Sequence, residues 1–317
     1  MRNFPIEILL LIFDNLRSSD LSRTARCSRL YHALATPKLY ESLRIRMKSR
    51  LTHQQVPKLL STLMQPRVER LSLAFINVAL FDPKNAPSLR SLDLRYCPGA
   101  EVFCRRLAAA IPPDLTDVRI AAHAESGTPN NFTAWLGSAR NVEHVALCIG
   151  GLSETIPFEQ VKGHRSTLRT LVLDPRRNVL DPSSVLKYSP ADLREIVEQC
   201  ASLRTLGLPL DLRDYQCHHR YTRSHQIKRI IPSCALETLH LRGRDHSPQR
   251  SRVDAKHLAR RFLLRQYSVR VLIGHGRGMN AFTTTDGRTI VSTRLSRREQ
   301  FQPAVLSKQS KQIRPHI

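Results

Sequence analysis

The sequence predicts an α/β chain: a small all-α unit at the N-terminus, followed by an irregular α/β solenoid built of short strand–helix repeats. Three observations carry this. The first forty-odd residues read FPIEILLLIFDNLRSSDLSRTARCSRLYHALATPKLYESL, a run of apolar helical stripes broken by cap and stop signals. A phrase of the type Leu-x-x-Leu-x-Leu then recurs seven times. Between several of its copies lie segments with helical periodicity.

The opening helix is apolar nearly all round, since Glu7 is the one polar residue between Ile6 and Phe13. One stripe runs Phe4, Ile8, Leu11/Ile12 and Leu16, and another Ile6, Leu9, Phe13 and Leu16. A unit of this size is too small to bury both, so the rest of the chain or a partner must cover one of them. Pro5 suits the first helical turn, and Glu7 faces the positive end of the helix dipole. The helix should end near residues 15–17. Ser18 or Ser19 can cap a second helix carrying Asp20 in its first turn, with Leu21, Ala25 and Cys27 or Ser28 inward. A third helix carries Leu30, Tyr31 and Leu34 and should stop at Pro37, with Leu39, Tyr40 and Leu43 closing the unit.

This order of residues resembles the F-box, a three-helix module that docks on the small Skp-type adaptor of cullin-RING ubiquitin ligases. The family's Leu-Pro-x-Glu stands here as Phe4-Pro5-Ile6-Glu7, its aliphatic series as Ile8, Ile12 and Leu16, its Asp-Leu as Asp20-Leu21, and its Val-x-x-x-Trp region as residues 27–31. Phe4 replaces Leu and Tyr31 replaces Trp, each keeping an apolar body in place. The resemblance implies adaptor contacts through Phe4, Pro5, Ile8, Ile12 and Leu16, supported by Leu21 and Leu34. The competing reading of the same helices is a cap on the end of a larger repeat array.

The seven copies of the repeated phrase are VERLSL, LRSLDL, LTDVRI, VEHVAL, LRTLVL, LRTLGL and LETLHL. Their central anchors are Leu71, Leu92, Val118, Val145, Leu171, Leu206 and Leu239, at intervals of 21, 26, 27, 26, 35 and 33 residues. The last two anchors of each phrase are two residues apart and so share one face of a strand, while the residue between them points the other way. Helical connections are expected over residues 54–65, 101–111, 131–139 and 189–201. The last is the best written, with Ser189 as cap, Pro190 at the first position and Asp192 three residues after the cap.

The phrase and its period resemble the leucine-rich repeats that often follow an F-box. The best copy is PSLRSLDLRYCP, with Cys97 in the repeat's Asn/Cys position. Ile76, His123, Gly150, Arg176, Asp211 and Arg244 hold that position elsewhere, so an irregular array is expected. Beyond Leu241, residues 253–265 fit one more helix and residues 269–273 one more strand. Asp286-Gly287 between two β-prone runs signals a hairpin that can cap the open end. From about residue 295 the chain is polar, basic and aperiodic, as a disordered tail would be. The expected organisation is therefore an F-box over residues 1–48, a repeat solenoid over 49–273, and a hairpin cap and basic tail over 274–317.

At 317 residues with 41% apolar content, the chain can bury a core. Its seven cysteines lack any paired spacing and read as reduced core residues, which places the protein in the cytoplasm or nucleus. No apolar run is long enough to span a membrane. The formal charge is +24. Residues 213–317 hold 22 Lys plus Arg against 6 Asp plus Glu, which leaves +16 in the last third. No zinc spacing fits the cluster Cys217, His218, His219, His225 and Cys234, so no metal is expected. The run Gly274-His275-Gly276-Arg277-Gly278 lacks the context of a phosphate loop and reads as a turn. No catalytic residue and no cofactor are expected.

The resemblance implies a non-catalytic, substrate-recognition subunit of a Skp-cullin-F-box ubiquitin ligase. Its partners would be a Skp-type adaptor, through it a cullin, and a protein substrate of acidic or phosphorylated character. Residues Arg95, Arg119, His240, Arg242 and Arg244 are the candidate substrate contacts, because guanidinium groups suit carboxylates and phosphates. Two alternatives stand beside this: a scaffold that works outside any ligase, and a nucleic-acid-associated protein that uses the basic C-terminal third. The mixed signs expected on the strand face argue against the last.

Overall fold

The computed structural model describes residues 5–46, 68–79, 81–175, 186–209, 236–242, 270–275, 278–284 and 290–295. The expected helices at 54–65 and 253–265, the tail after residue 295, Phe4, Arg244 and the cluster from Cys217 to Cys234 lie outside these residues. Within them the chain is α/β, with three N-terminal helices running into one sheet whose strands follow chain order.

Helices α1 (Ile6–Asn15), α2 (Ser18–Thr24) and α3 (Arg29–Glu41) share a core of Phe13, Leu21, Ala25 and Ala35, with Leu16, Tyr31, Leu34 and Leu39 packed against it. The Phe13 and Tyr31 rings meet edge to face at 5.9 Å, and Lys38 reaches Asp14 across the unit at 2.5 Å. Three local expectations are corrected. Arg17, rather than Ser18 or Ser19, takes the cap position of α2, with no side-chain bond. Ser28 instead caps α3, its Oγ accepting the Tyr31 amide at 3.1 Å, and it and Cys27 are exposed. Pro37 lies within α3 and does not stop it. Its fixed φ fits a helix, and what it removes is one amide donor.

Leu43 does not close the helical unit. Glu41 runs straight into β1 (Ser42–Arg46), and Leu43 and Ile45 pack against the core of the sheet. Strands β2 (Arg70–Ala74), β3 (Ser91–Arg95), β4 (Asp117–His123), β5 (His144–Gly150), β6 (Thr170–Pro175), β7 (Thr205–Leu208), β8 (Thr238–Arg242) and β9 (Arg270–His275) follow. Each pairs in parallel with the next. All seven expected anchors fall in register: Leu71, Leu92, Val118, Val145, Leu171, Leu206 and Leu239 stand side by side. Strands β10 (Gly278–Thr284) and β11 (Ile290–Leu295) then turn antiparallel. Gly274, His275 and Gly278 thus belong to strands rather than to an extended turn.

Below the sheet the strand anchors bury against α4 (Ala100–Ala109), the short α5 (Asn130–Thr133) and α6 (Pro190–Gln199). The helix expected at 131–139 is short, giving way to a 3-10 turn at Ala134–Gly137 that buries Trp135, whose indole N–H donates to the Phe132 carbonyl at 2.6 Å. The cap of α6 forms as its sequence predicts: Ser189 Oγ accepts the Asp192 amide and the Asp192 carboxylate accepts the Ser189 amide.

A second, finer repeat runs along the entry edge of the sheet. The carbonyl of Glu69 accepts the amides of both Arg90 and Ser91; that of Arg90 accepts Thr116 and Asp117; that of Thr116 accepts Glu143 and His144. The Glu143, Arg169 and Arg204 carbonyls continue the pattern into β6, β7 and β8. Each carbonyl uses both lone pairs, so few backbone groups are orphaned where the chain enters a strand.

Candidate functional site

Two surfaces stand out among the described residues. The first is the outer face of α1. Leu9 and Phe13 turn inward, which leaves the stripe Ile8, Leu11 and Ile12 at 43%, 63% and 44% exposure. Ile6, Leu10 and Leu30 are exposed as well. The spacing i, i+3, i+4 places the stripe on one side of the helix, continuous and apolar. Such a patch on a small unit marks a surface that something else covers.

The residues picked for this surface from the sequence divide into two groups. Pro5, Ile8 and Ile12 are exposed, whereas Leu21 is buried in the three-helix core and Leu16 and Leu34 are half-buried against it. Their contribution is therefore to hold the helices in place. Ile6, Leu10 and Leu11, which carry much of the exposed area, were legible in the sequence from the all-round apolar character of α1.

The second surface is the open face of the sheet, where a groove of about 1120 Å³ crosses β1 to β8. The strand residues between anchors line it, as the alternation of side chains requires. Asp93 and Arg95 lie two apart on one strand and therefore on one face. Arg95 grips Asp93 side-on, with Nε at 3.0 Å from either oxygen and Nη2 at 2.7 Å from Oδ2. Arg119 holds Asp117 in the same way one strand on, at 3.1 and 2.8 Å. Ser72 Oγ donates to Asp93 at 3.2 Å.

The hydrogen bond to Asp93 raises the Arg95 pKa above its ordinary value, against the opposing effect of burial. His144 sits beside Thr170, 2.9 Å from Nδ1 to Oγ1. Burial lowers its pKa, with Asp117 and Glu143 pulling the other way, so the ring is neutral at pH 7.

The outward residues do not all stay outward, and past β5 the groove follows the entry edge, along Arg169, Ser202 and Arg204, rather than the strand faces. Thr170, Asp174 and Thr205, which strand alternation about the anchors sets on the open face, are buried, and β6 and β7 are covered on both sides for most of their length. Arginines cluster instead at the entry edge, where Arg70 pairs with Glu41, Arg169 Nε lies 3.3 Å from Glu143, and Arg204 Nη1 lies 3.1 Å from Glu237. The groove wall holds Arg44, Arg70, Arg119, Arg169 and Arg204 against Asp93, Asp117 and Glu237; four of these arginines pair with Glu41, Asp117, Glu143 and Glu237, which leaves Arg44, the register neighbour of Ser72, as the one without a carboxylate partner among the described residues.

Of the predicted substrate contacts, Arg95 and Arg119 lie on the adjacent strands β3 and β4, offset by two residues so that Arg119 stands beside Asp93, and each is engaged by the aspartate of its own strand. His240 and Arg242 lie further along, on β8. The entry-edge arginines were missed, although Arg169 and Arg204 hold the second position of the phrases LRTLVL and LRTLGL, and Arg70 the third position of VERLSL. Arg70 opens β2, whereas Arg169 and Arg204 stand one residue ahead of β6 and β7, and that recurrence was the signal available.

Among the described residues no group of three or more His, Cys, Asp and Glu side chains could hold a metal ion. No helix there is long and apolar enough to cross a membrane. No protein-family model matches the chain, and no curated protein matches it either.

Proposed function

We propose that the chain is a substrate-recognition subunit of a Skp-cullin-F-box ubiquitin ligase, with α1–α3 as the F-box and the strand–helix array as a leucine-rich-repeat receptor. The single observation that carries the reading is the exposed aliphatic stripe Ile8, Leu11 and Ile12 on a three-helix unit that runs directly into a repeat sheet. Covering the half-exposed Ile6, Ile8, Leu10, Leu11 and Ile12 is worth about 4 to 7 kcal/mol gross, before the costs of association. That is enough for a docking helix that has further contacts around it.

In this reading the subunit does no chemistry. It holds a substrate near a ubiquitin-charged enzyme and so raises the effective concentration of the acceptor lysine. The groove supports the receptor half: it is open, polar, and built from side chains fixed on strands. Its interleaved carboxylates disfavour the alternative of a nucleic-acid-binding wall.

The test is co-purification of the chain with a Skp-type adaptor and a cullin. Ile8→Asp with Ile12→Asp should abolish adaptor capture while leaving the melting transition of the sheet in place, because both side chains are exposed. Retained capture would refute the F-box assignment.

A further inference from the structure

Strands β2 and β3 leave the sheet in an unusual way. Phe75 and Tyr96, the residues just after each strand, have φ of 61° and 52°, a left-handed backbone that Gly or Asn adopts readily and an aromatic residue rarely. The kink has a clear local purpose, since it turns the next residues, Ile76 and Cys97, into the core. A glycine would serve that purpose with less strain. In β4 and β5, by contrast, the strands run on through two more pairs, Ala122 with Ile149 and His123 with Gly150.

The two strained positions present large rings to solvent. Phe75 is 47% exposed and Tyr96 42%, and the rings stack on each other at 5.8 Å with planes 17° apart. Their backbones are fixed, because the Phe75 amide donates to the Arg95 carbonyl and the Tyr96 amide to that of Ala121. The shelf stands at the ends of the strands whose Ser72 and Asp93 line the groove, next to an Arg95 guanidinium already locked on Asp93. Strain kept at an exposed, rigid, apolar feature points to binding rather than to folding.

We infer that Phe75 and Tyr96 form an anchoring shelf for one large apolar side chain of an acidic, extended peptide segment of a partner protein lying in the groove. The apolar part follows from the rings and the acidic part from Arg44, which lines the groove beside Ser72 and has no carboxylate partner among the described residues. A single-stranded nucleic acid would also stack on aromatics, but Asp93, Asp117 and Glu237 line its path. The inference rests on the receptor half of the proposed function and is independent of adaptor docking.

The experiment uses the full chain and the double variant Phe75→Asn with Tyr96→Asn, since Asn tolerates the left-handed backbone. A displayed library of random twelve-residue peptides is selected on the wild type. Enriched sequences should place Phe, Trp or Leu beside Asp or Glu. As labelled synthetic peptides they should bind the double variant at least tenfold more weakly by fluorescence anisotropy, while its melting temperature stays level or rises. The single variants Phe75→Asn and Tyr96→Asn serve if the double variant fails to fold.

Absence of enrichment, equal binding to the variants, or a loss that merely tracks a lowered melting temperature would overturn the inference. So would a fifteen-residue oligothymidylate that displaces the peptides in a manner dependent on both rings. Adaptor capture by the same variants should be unchanged. A wild type that binds the peptides but no adaptor would sink the ligase reading and leave the shelf standing.

Discussion

Replacing Glu101 by Gln tests how the loop after β4 is held. Glu101 lies in the first turn of α4 and is buried. One carboxylate oxygen accepts the amides of Glu125 and Ser126 at 2.8 and 3.2 Å, and the other accepts Asn131 Nδ2 at 2.6 Å. Glutamine would keep one acceptor and turn the other into a donor facing a donor. Hydrogen bonds to a charged group contribute about 1.5 to 3 kcal/mol each, and a buried group left unpaired costs a similar amount, so the substitution should cost about 2 to 4 kcal/mol at pH 7.

The pH dependence gives a sharper test. Burial alone would raise the Glu101 pKa, but the hydrogen bonds from Ser126, Glu125 and Asn131 outweigh it and hold the carboxyl below its usual range. A depressed folded-state pKa adds stability that is fully present above the unfolded value of about 4.3 and is lost as pH falls through the folded value. Denaturant titrations of wild type and Glu101→Gln should therefore differ most near neutrality and converge below pH 4.3, as far as the folded state persists. A gap of unchanged size from pH 7 to pH 3.5 would show that the ionised carboxylate is not what orders the loop.

Two further outcomes bear on the sheet. Leu171 is fully buried and pairs with Val145 and Leu206, so Leu171→Ala should cost about 2 to 5 kcal/mol in the same titration, and a neutral result would contradict the register. Gly99 has φ of 72° and a Cβ there would stand 2.5 Å from that of Ala79; Gly99→Ala should therefore cost about 2 to 4 kcal/mol and lower the melting temperature, and an unchanged one would rule out the tight approach of the two segments.

The strands were legible because their signal is local and repeated. Two anchors two residues apart, seven times over, leave one arrangement in which Leu71 through Leu239 can all be buried, and the sheet adopts it. The α6 cap was legible for the same reason, as both its hydrogen bonds fall within four residues. The Asp-x-Arg pairs at 93–95 and 117–119 could also have been read, because spacing of two on a strand puts opposite charges on one face.

What was not legible depends on neighbours distant in sequence. β1 follows a helix without a break and is a strand because β2 offers it an edge. Pro37 obeys the rule that it cannot donate a hydrogen bond, but not the stronger expectation that it ends a helix. The left-handed Phe75 and Tyr96 carry no signal at all, since that backbone is normally announced by Gly or Asn. Their arrangement emerges only when Ile76 and Cys97 must enter the core.

The paired-acceptor carbonyls at the entry edge bear on how such a chain tolerates change. Six successive carbonyls each fix two amides of the following unit, so spacing between neighbours is set at the start of each strand from β3 to β8 and not by the segment that leads to it. The intervals of 35 and 33 residues before Leu206 and Leu239 are absorbed without shifting either strand out of line. Connecting segments are thereby released from any structural duty to keep a common length. A lineage could add, lose or lengthen them on the far side of the sheet and alter what the molecule meets there, while the row of strands stayed as it is.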